Sequence, residues 1–177
     1  INMRALTDPA VVDLAAPSTL FELLGGHPTA AIYSSFYRGA SIVRPKTLPT
    51  RAMFSAHITK NELALDRLAM QEVMHLFQQS QEDIPRYTLV ALVAADLTGH
   101  RHGAKSPKVE KVVVQFDRLL EKFYRALKNK EIDDKTYIIV SSDHGMHNAG
   151  KYFDLRSAFF QEAVSYKPKN PRATGYS

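Results

Sequence analysis

The sequence has no cysteine among its 177 residues, and this absence removes several functional classes at once. Without a thiol there can be no disulfide scaffold, no cysteine-ligated zinc finger and no cysteine nucleophile. No apolar run reaches the roughly 18 residues that a membrane-spanning helix needs, so we expect no transmembrane segment. The N-terminus also lacks the charged and then apolar stretch that marks a secretory signal.

Charge of one sign is not concentrated anywhere along the chain. The formal net charge is +5, from 23 Lys and Arg against 18 Asp and Glu. The densest basic stretches, 105–111 and 122–130, lie where a solvated helix face or a loop is predicted. We therefore expect no nucleic-acid partner, and a mildly basic domain suits a small anionic substrate equally well.

Length and composition predict one globular domain. Apolar residues make up 45% of the chain and charged residues 23%, which is ordinary for a folded protein. A domain has roughly 150 residues, so we expect a single domain over 1–177, with a loose, turn-rich tail at 165–177. The first residue is Ile1 rather than Met, and we expect the chain to be a piece of a longer protein.

Hydrophobic periodicity predicts alternating strands and helices, with clear start and stop signals. The predicted elements, in chain order, are a short helix capped at Thr19 and stopped by Gly25 and Gly26, a strand at 29–33, a strand near 52–58, a helix opened by a capping box at Thr59 and Glu62, a strand at 87–95, a long helix from Ser106 and Pro107, and a strand at 136–142.

Strand, helix and strand over 87–142 form a βαβ unit, in which the two strands run parallel. The strands at 87–95 and 136–142 are continuous apolar runs, typical of strands buried on both faces. The prediction is an α/β fold with a mostly parallel sheet and helices on both faces. Parallel strands end at the same sheet edge, where ligands bind, so we expect the residues after Ala95 and Ser142 to lie together.

Acidic and histidine side chains follow both predicted strand ends. Asp96 and His100 are four residues apart after the first strand, and Asp143 and His144 are adjacent after the second. Either pair alone is often structural, but carboxylate with imidazole suits zinc, iron or manganese. The adjacent pair converges only where the strand breaks, and Gly145 supplies that break. Together the pairs indicate a two-metal site, whose ions lie about 3.5–4 Å apart.

These motifs carry a family resemblance. Residues 140–146, VSSDHGM, resemble the alkaline phosphatase superfamily, and Asp96-x-x-Gly-His100-x-x-Gly resembles its type I phosphodiesterase/nucleotide pyrophosphatase branch. The resemblance implies an alkaline-phosphatase-like fold with two divalent ions, zinc first and manganese second. It implies that Asp96 and His100 hold one ion, and that Asp143 and His144 hold the other.

Three features of the resembled family have no counterpart here: an early Asp ligand, a Thr or Ser nucleophile and a distal His ligand. Thr7, Ser18 and Thr19 are the early hydroxyls, and none has the nucleophile's context. We therefore expect an incomplete copy, the central fragment of a longer hydrolase, inactive as this chain alone. His102 and His147 are expected to support the ligands or to face the substrate rather than to bind metal directly.

The function that this resemblance implies is metal-dependent hydrolysis of a small phosphorylated substrate by a hydroxyl nucleophile that this chain does not supply. Two alternatives stay open: a non-catalytic α/β metal-binding module, and a metal-dependent mutase of the same superfamily. The resemblance is compatible with an exported or periplasmic protein. The residues leave compartment and oligomeric state undetermined.

Overall fold

The structure is a computed structural model that describes residues 17–45, 61, 63–148 and 150. The predicted strand near 52–58, the capping box at Thr59 and Glu62 and the tail at 165–177 lie outside the described residues. The chain divides into two compact units, Ile1–His147 and Asn148–Ser177, and every element given below belongs to the first. The extent of the domain over the whole chain stays a prediction.

The described elements form a small parallel α/β layer. The helices are α1 Leu20–Leu23, α2 Leu63–Phe77, α3 Ala94–His102 and α4 Pro107–Asn129, the strands are β1 Thr29–Ile32, β2 Ile42–Arg44 and β3 Tyr87–Val90, and single 3₁₀ turns lie at Gln81–Asp83 and Asp133–Lys135. The strand order is β2-β1-β3, and both pairings are parallel. The predicted α/β class with a parallel sheet is confirmed.

Strand β1 is the centre of the sheet and is buried along its whole length. Ala30 and Ile32 point to the face covered by the main core, since side chains alternate along a strand. On the opposite face, Thr29 pairs in register with Tyr87, and the Tyr87 ring lies 5.0 Å from that of Phe21 on α1. Helices therefore cover both faces of the sheet, as predicted.

The main core joins one face of β1 to helices α2 and α4. The Phe77 and Phe123 rings meet edge to face, with their centroids 4.9 Å apart. The buried members of this core are Ala30, Ile32, Ala69, Met70, Val73, Leu76, Phe123, Leu127 and Ile132. Their spacing on α2 follows the three- and four-residue period of an amphipathic helix.

Two helix starts are formed as the sequence predicts. Thr19 caps α1 in a capping box, because its hydroxyl accepts the Glu22 N–H at 3.2 Å and the Glu22 carboxylate accepts the Thr19 N–H at 2.7 Å. Those bonds, with the Arg38 guanidinium, lower the pKa of Glu22. Ser106 caps α4 through the Lys108 N–H at 3.3 Å, with proline at the first helical position.

Strand β3 is shorter than the predicted strand at 87–95. It ends at Val90, and Ala94 already begins α3. The apolar run continues past Val90 because the chain stays partly buried up to Ala94, the buried first residue of α3, and a short apolar run looks the same in a helix and a strand. Strand β2 at Ile42–Arg44, only three residues long, was not predicted.

The predicted strand at 136–142 is not formed. These residues pair with no strand in the described part of the chain, and Tyr137 and Ile139 are 95% and 88% exposed. A strand is buried only when neighbours cover its faces and edges, and the described sheet ends at β3. A cavity of about 1450 Å³ is lined both by β3 and by residues 135–146. Among the residues that the structure describes, this apolar run thus lacks the neighbouring strand that its composition predicts.

Substitutions at two isoleucines test whether residues 136–142 are exposed while β1 is buried. Ile32 is fully buried in β1, whereas Ile139, in an apolar run of the same kind, is 88% exposed. We expect Ile32→Ala to lower the free energy of unfolding by about 2–5 kcal/mol through the cavity it leaves. Ile139→Ala should change it by less than about 0.5 kcal/mol. Urea unfolding measures both, and equal losses would mean that residues 136–142 are buried.

Candidate functional site

Helix α3 positions the first pair of predicted site residues. Asp96 lies in its first turn and His100 one turn later, so the two side chains share a face. His100 Nε2 is 3.4 Å from Asp96 Oδ1. The two side chains therefore lie close together, on a helix rather than on the expected turn, and their binding of one ion stays a prediction.

The second pair reaches the first through His144. Its Nε2 lies 3.8 Å from Asp96 Oδ1 and 3.8 Å from Asp143 Oδ2. Its Nδ1 is 2.9 Å from the Gly145 carbonyl oxygen, which suits a proton on Nδ1 and leaves Nε2 directed at the carboxylates. The four predicted residues therefore come together, although the strand predicted before Asp143 is not formed.

A contact between Gly99 of the first motif and Met146 of the second accompanies the approach of His144 to Asp96. Gly99 is buried on α3, and a methyl group built at its α-carbon would lie 2.3 Å from the sulfur of Met146. No side chain fits there unless Met146 moves. The glycine of the first motif thus accommodates the methionine of the second, and the Asp143–Gly145 segment is held against α3.

The environment of His144 favours its protonated form. The Gly145 carbonyl raises the pKa of the imidazole most, and the carboxylates of Asp143 and Asp96 raise it further. The side chains of these residues are partly or largely exposed, at 57% for His144 and 89% for Asp143.

One carboxylate oxygen of this cluster makes no hydrogen bond. Asp96 Oδ1 is buried and makes no hydrogen bond, an arrangement that costs about 1–3 kcal/mol when it is not compensated. Two carboxylates and two imidazoles are the donor types that zinc takes, so the residues fit a metal ion in chemistry. Among the described residues, no group of three or more His, Asp or Glu side chains is placed so that it could hold one metal ion.

The two remaining histidines of the motifs lie apart from this cluster. His102 is two residues after His100, about 200° around the helix, and its Nε2 is 3.3 Å from Lys108 Nζ. His147 is exposed. The roles predicted for His102 and His147 stay predictions.

Sequence reasoning missed one residue next to the site, Asp66, which contacts the start of α3. It is only 3% exposed, on the buried stripe of α2 that includes Met70 and Val73. Its Oδ1 accepts the N–H groups of Val93 and Ala94 at 2.8 and 3.2 Å. Burial raises the pKa of Asp66, and these two bonds oppose that shift. A carboxylate at a core position of a helical pattern was the available signal.

The comparisons with known proteins agree on one family. The sequence model described as "Type I phosphodiesterase / nucleotide pyrophosphatase" matches residues 10–173. Human ectonucleotide pyrophosphatase/phosphodiesterase family member 7 is 32% identical over 120 residues, covering 67% of this chain and 25% of the relative. The rat protein of the same name is 30% identical over 120 residues, with shares of 67% and 26%. Mouse family member 1 is 32% identical over 74 residues, with shares of 42% and 8%.

The match covers a limited part of these relatives. The chain spans about a quarter of the length of the family member 7 proteins. No solved structure matches it significantly. None of the helices in the described ranges is long and apolar enough to cross a bilayer.

The contact between Gly99 and Met146 predicts a coupled pair of substitutions. Alanine in a helix is more stable than glycine by about 1 kcal/mol, so Gly99→Ala alone would be stabilising if nothing opposed it. We expect Gly99→Ala to destabilise the protein or to leave it unchanged when Met146 is present, and to stabilise it in a Met146→Ala background. A double-mutant cycle by urea unfolding measures the difference, and additive effects would rule out the contact.

The raised pKa of His144 predicts a pH dependence in the metal-free chain. The interactions that favour the imidazolium stabilise the fold below the ordinary pKa of about 6.5, and this stabilisation is lost as pH rises through the raised value. NMR titration of the His144 ring should show a midpoint above 6.5. Asp143→Asn should lower that midpoint, and Asp134→Asn, at an exposed site, should not. A midpoint unaffected by Asp143→Asn would contradict the contact.

Proposed function

The chain belongs to the type I phosphodiesterase / nucleotide pyrophosphatase family, and from this we propose that the protein hydrolyses phosphodiester or pyrophosphate bonds in a small substrate. The observation that carries the proposal is the buried Asp96 Oδ1, which makes no hydrogen bond and faces imidazoles from both sequence motifs. Such an oxygen is compensated when a cation binds beside it. Asp96, Asp143 and His144 also line the cavity, so a cation there would be next to it.

Two divalent ions are the cofactors proposed, with zinc first and manganese second. Asp96 and His100 would hold one ion, and Asp143 and His144 the other. When bound, such ions offset the charge that develops on a transferring phosphoryl group and lower the pKa of a coordinated hydroxyl. The donor types support zinc, since neutral imidazole and ionised carboxylate are its usual nitrogen and oxygen ligands.

The residues around the ligands have separate tasks in this proposal. A proton on His144 Nδ1, held by the Gly145 carbonyl, fixes the tautomer in which Nε2 is free to bind. Asp96 contributes a carboxylate oxygen that has no competing hydrogen bond. His100 and His144 bind a metal ion only in their neutral forms, so protons compete with the metal and its affinity should be lower at low pH.

The nucleophile is expected outside the described residues. The two hydroxyls nearest to the ligands in sequence are committed or enclosed: Ser142 Oγ donates to the His144 carbonyl, and Thr98 is only 3% exposed. This observation keeps the non-catalytic metal-binding module as the second candidate. The family match favours a phosphodiesterase over a mutase.

Metal binding and turnover test the proposal together. We expect the 177-residue chain to bind zinc or manganese with little turnover, and the protein at its natural length to hydrolyse bis(4-nitrophenyl) phosphate in a metal-dependent way. Asp143→Ala should abolish hydrolysis and weaken metal binding by removing a ligand. Isothermal titration and release of nitrophenolate measure the two effects.

The matched control is Asp134→Ala, which removes an exposed carboxylate from the 3₁₀ turn before the site. It should leave both measurements unchanged. Full activity of the Asp143→Ala variant, or of metal-stripped protein, would refute the proposed site. Tight metal binding without hydrolysis at natural length would favour the binding module.

A further inference from the structure

Helix α3 begins without a capping side chain of its own. The residue at its N-cap is Val93, which has no side-chain acceptor, and no side-chain bond from the cap residue is made. The first N–H groups of a helix have no partner inside the helix and need an acceptor from elsewhere. The start of α3 therefore depends on another part of the chain.

That acceptor is Asp66 on α2, which precedes Val93 by 27 residues. Its Oδ1 accepts the Val93 N–H at 2.8 Å and the Ala94 N–H at 3.2 Å. A carboxylate at a helix N-terminus also interacts favourably with the helix dipole. The side chain is 3% exposed, so the bonds are shielded from water.

The position of this cap relates it to the candidate ligands. Ala94 is two residues before Asp96 and six before His100, and all three lie on α3. Strand β3 is still joined to β1 just before this point, since the Ala91 N–H donates to the Ile32 carbonyl at 3.0 Å. Asp66 thus acts where the chain leaves the sheet and turns into the helix that carries the ligands.

Burial of a carboxylate at this place needs an explanation. An ionised group without a cation partner is costly to bury, and an apolar residue would extend the stripe of Met70 and Val73. No ion pair of Asp66 is present among the described residues. The two backbone bonds to α3 are the interactions that compensate for it.

We propose that Asp66 is a positioning residue for the metal site, which fixes the start of α3 and thereby the approach of Asp96 and His100 to a bound ion. The effect of Asp66 on metal binding rests on the proposed function. Its effect on the start of α3 rests on the geometry alone.

Three variants of the 177-residue chain test this role. Asp66→Asn keeps an oxygen acceptor of the same shape, Asp66→Leu has a similar volume and no acceptor, and Asp117→Leu removes an exposed carboxylate from α4 as a control. The probes are Zn²⁺ affinity, the visible spectrum of the Co²⁺-substituted chain, and amide hydrogen exchange over residues 93–97 without metal.

We expect Asp66→Leu to weaken Zn²⁺ binding by about 10–100-fold, the loss typical when a group that supports a ligand is removed. Its Co²⁺ spectrum should change, and its Val93 and Ala94 amides should exchange faster. In Asp66→Asn the Zn²⁺ affinity, the Co²⁺ spectrum and the amide exchange rates should be close to those of the wild type. In Asp117→Leu they should equal those of the wild type. A purely structural role would lower the melting temperature of Asp66→Leu while leaving the Co²⁺ spectrum and the affinity of its folded fraction unchanged, and that result would overturn the proposal.

Two further results separate this proposal from the proposed function. If the wild-type chain binds no metal, the proposed site fails, and faster exchange in Asp66→Leu still supports the role of Asp66 in fixing α3. If the Val93 and Ala94 amides already exchange freely in the wild type, the cap is absent and the inference is overturned. This last measurement does not require any variant to fold.

Discussion

The packing of Met146 against the bare α-carbon of Gly99 is the contact on which the candidate site depends. Residues 136–142 pair with no described strand, so the sheet does not determine where the following segment lies. The thioether contact and the approach of His144 to Asp96 are what place that segment on α3. A β-carbon at this position would occupy the space of the sulfur, so the thioether keeps this place only beside a glycine.

The charges of the site form a second constraint. Asp96 and Asp143 both lie within 4 Å of one imidazole, and one Asp96 oxygen is buried without a hydrogen bond. Two carboxylates this close to the His144 ring are stabilised by a positive charge between them. The Gly145 carbonyl, and then these two carboxylates, raise the pKa of His144 and so favour its positively charged form in the metal-free chain. A divalent ion would supply positive charge more strongly, and it would do so with a neutral imidazole. Proton and metal therefore compete for the same position.

Much of the fold and of the site could be predicted from local patterns. The capping box at Thr19, the apolar stripe of α2 and the Ser106 cap are properties of neighbouring residues, so the sequence shows them directly. The spacing of Asp96 and His100 predicted their contact even though a turn was expected in place of α3. Residues 136–142 were predicted wrongly, because an apolar composition shows that a strand would be buried and does not show whether a neighbour exists. Asp66 was missed because its partners lie 27 and 28 residues away.

The central claim is that the two motifs hold metal ions. Anomalous diffraction at the zinc edge, from crystals of the zinc-loaded protein at its natural length, tests it most directly. The account predicts two anomalous peaks about 3.5–4 Å apart, one bonded to Asp96 and His100 and the other to Asp143 and His144. Peaks elsewhere, or none within about 2.5 Å of these four side chains in zinc-loaded crystals, would contradict it.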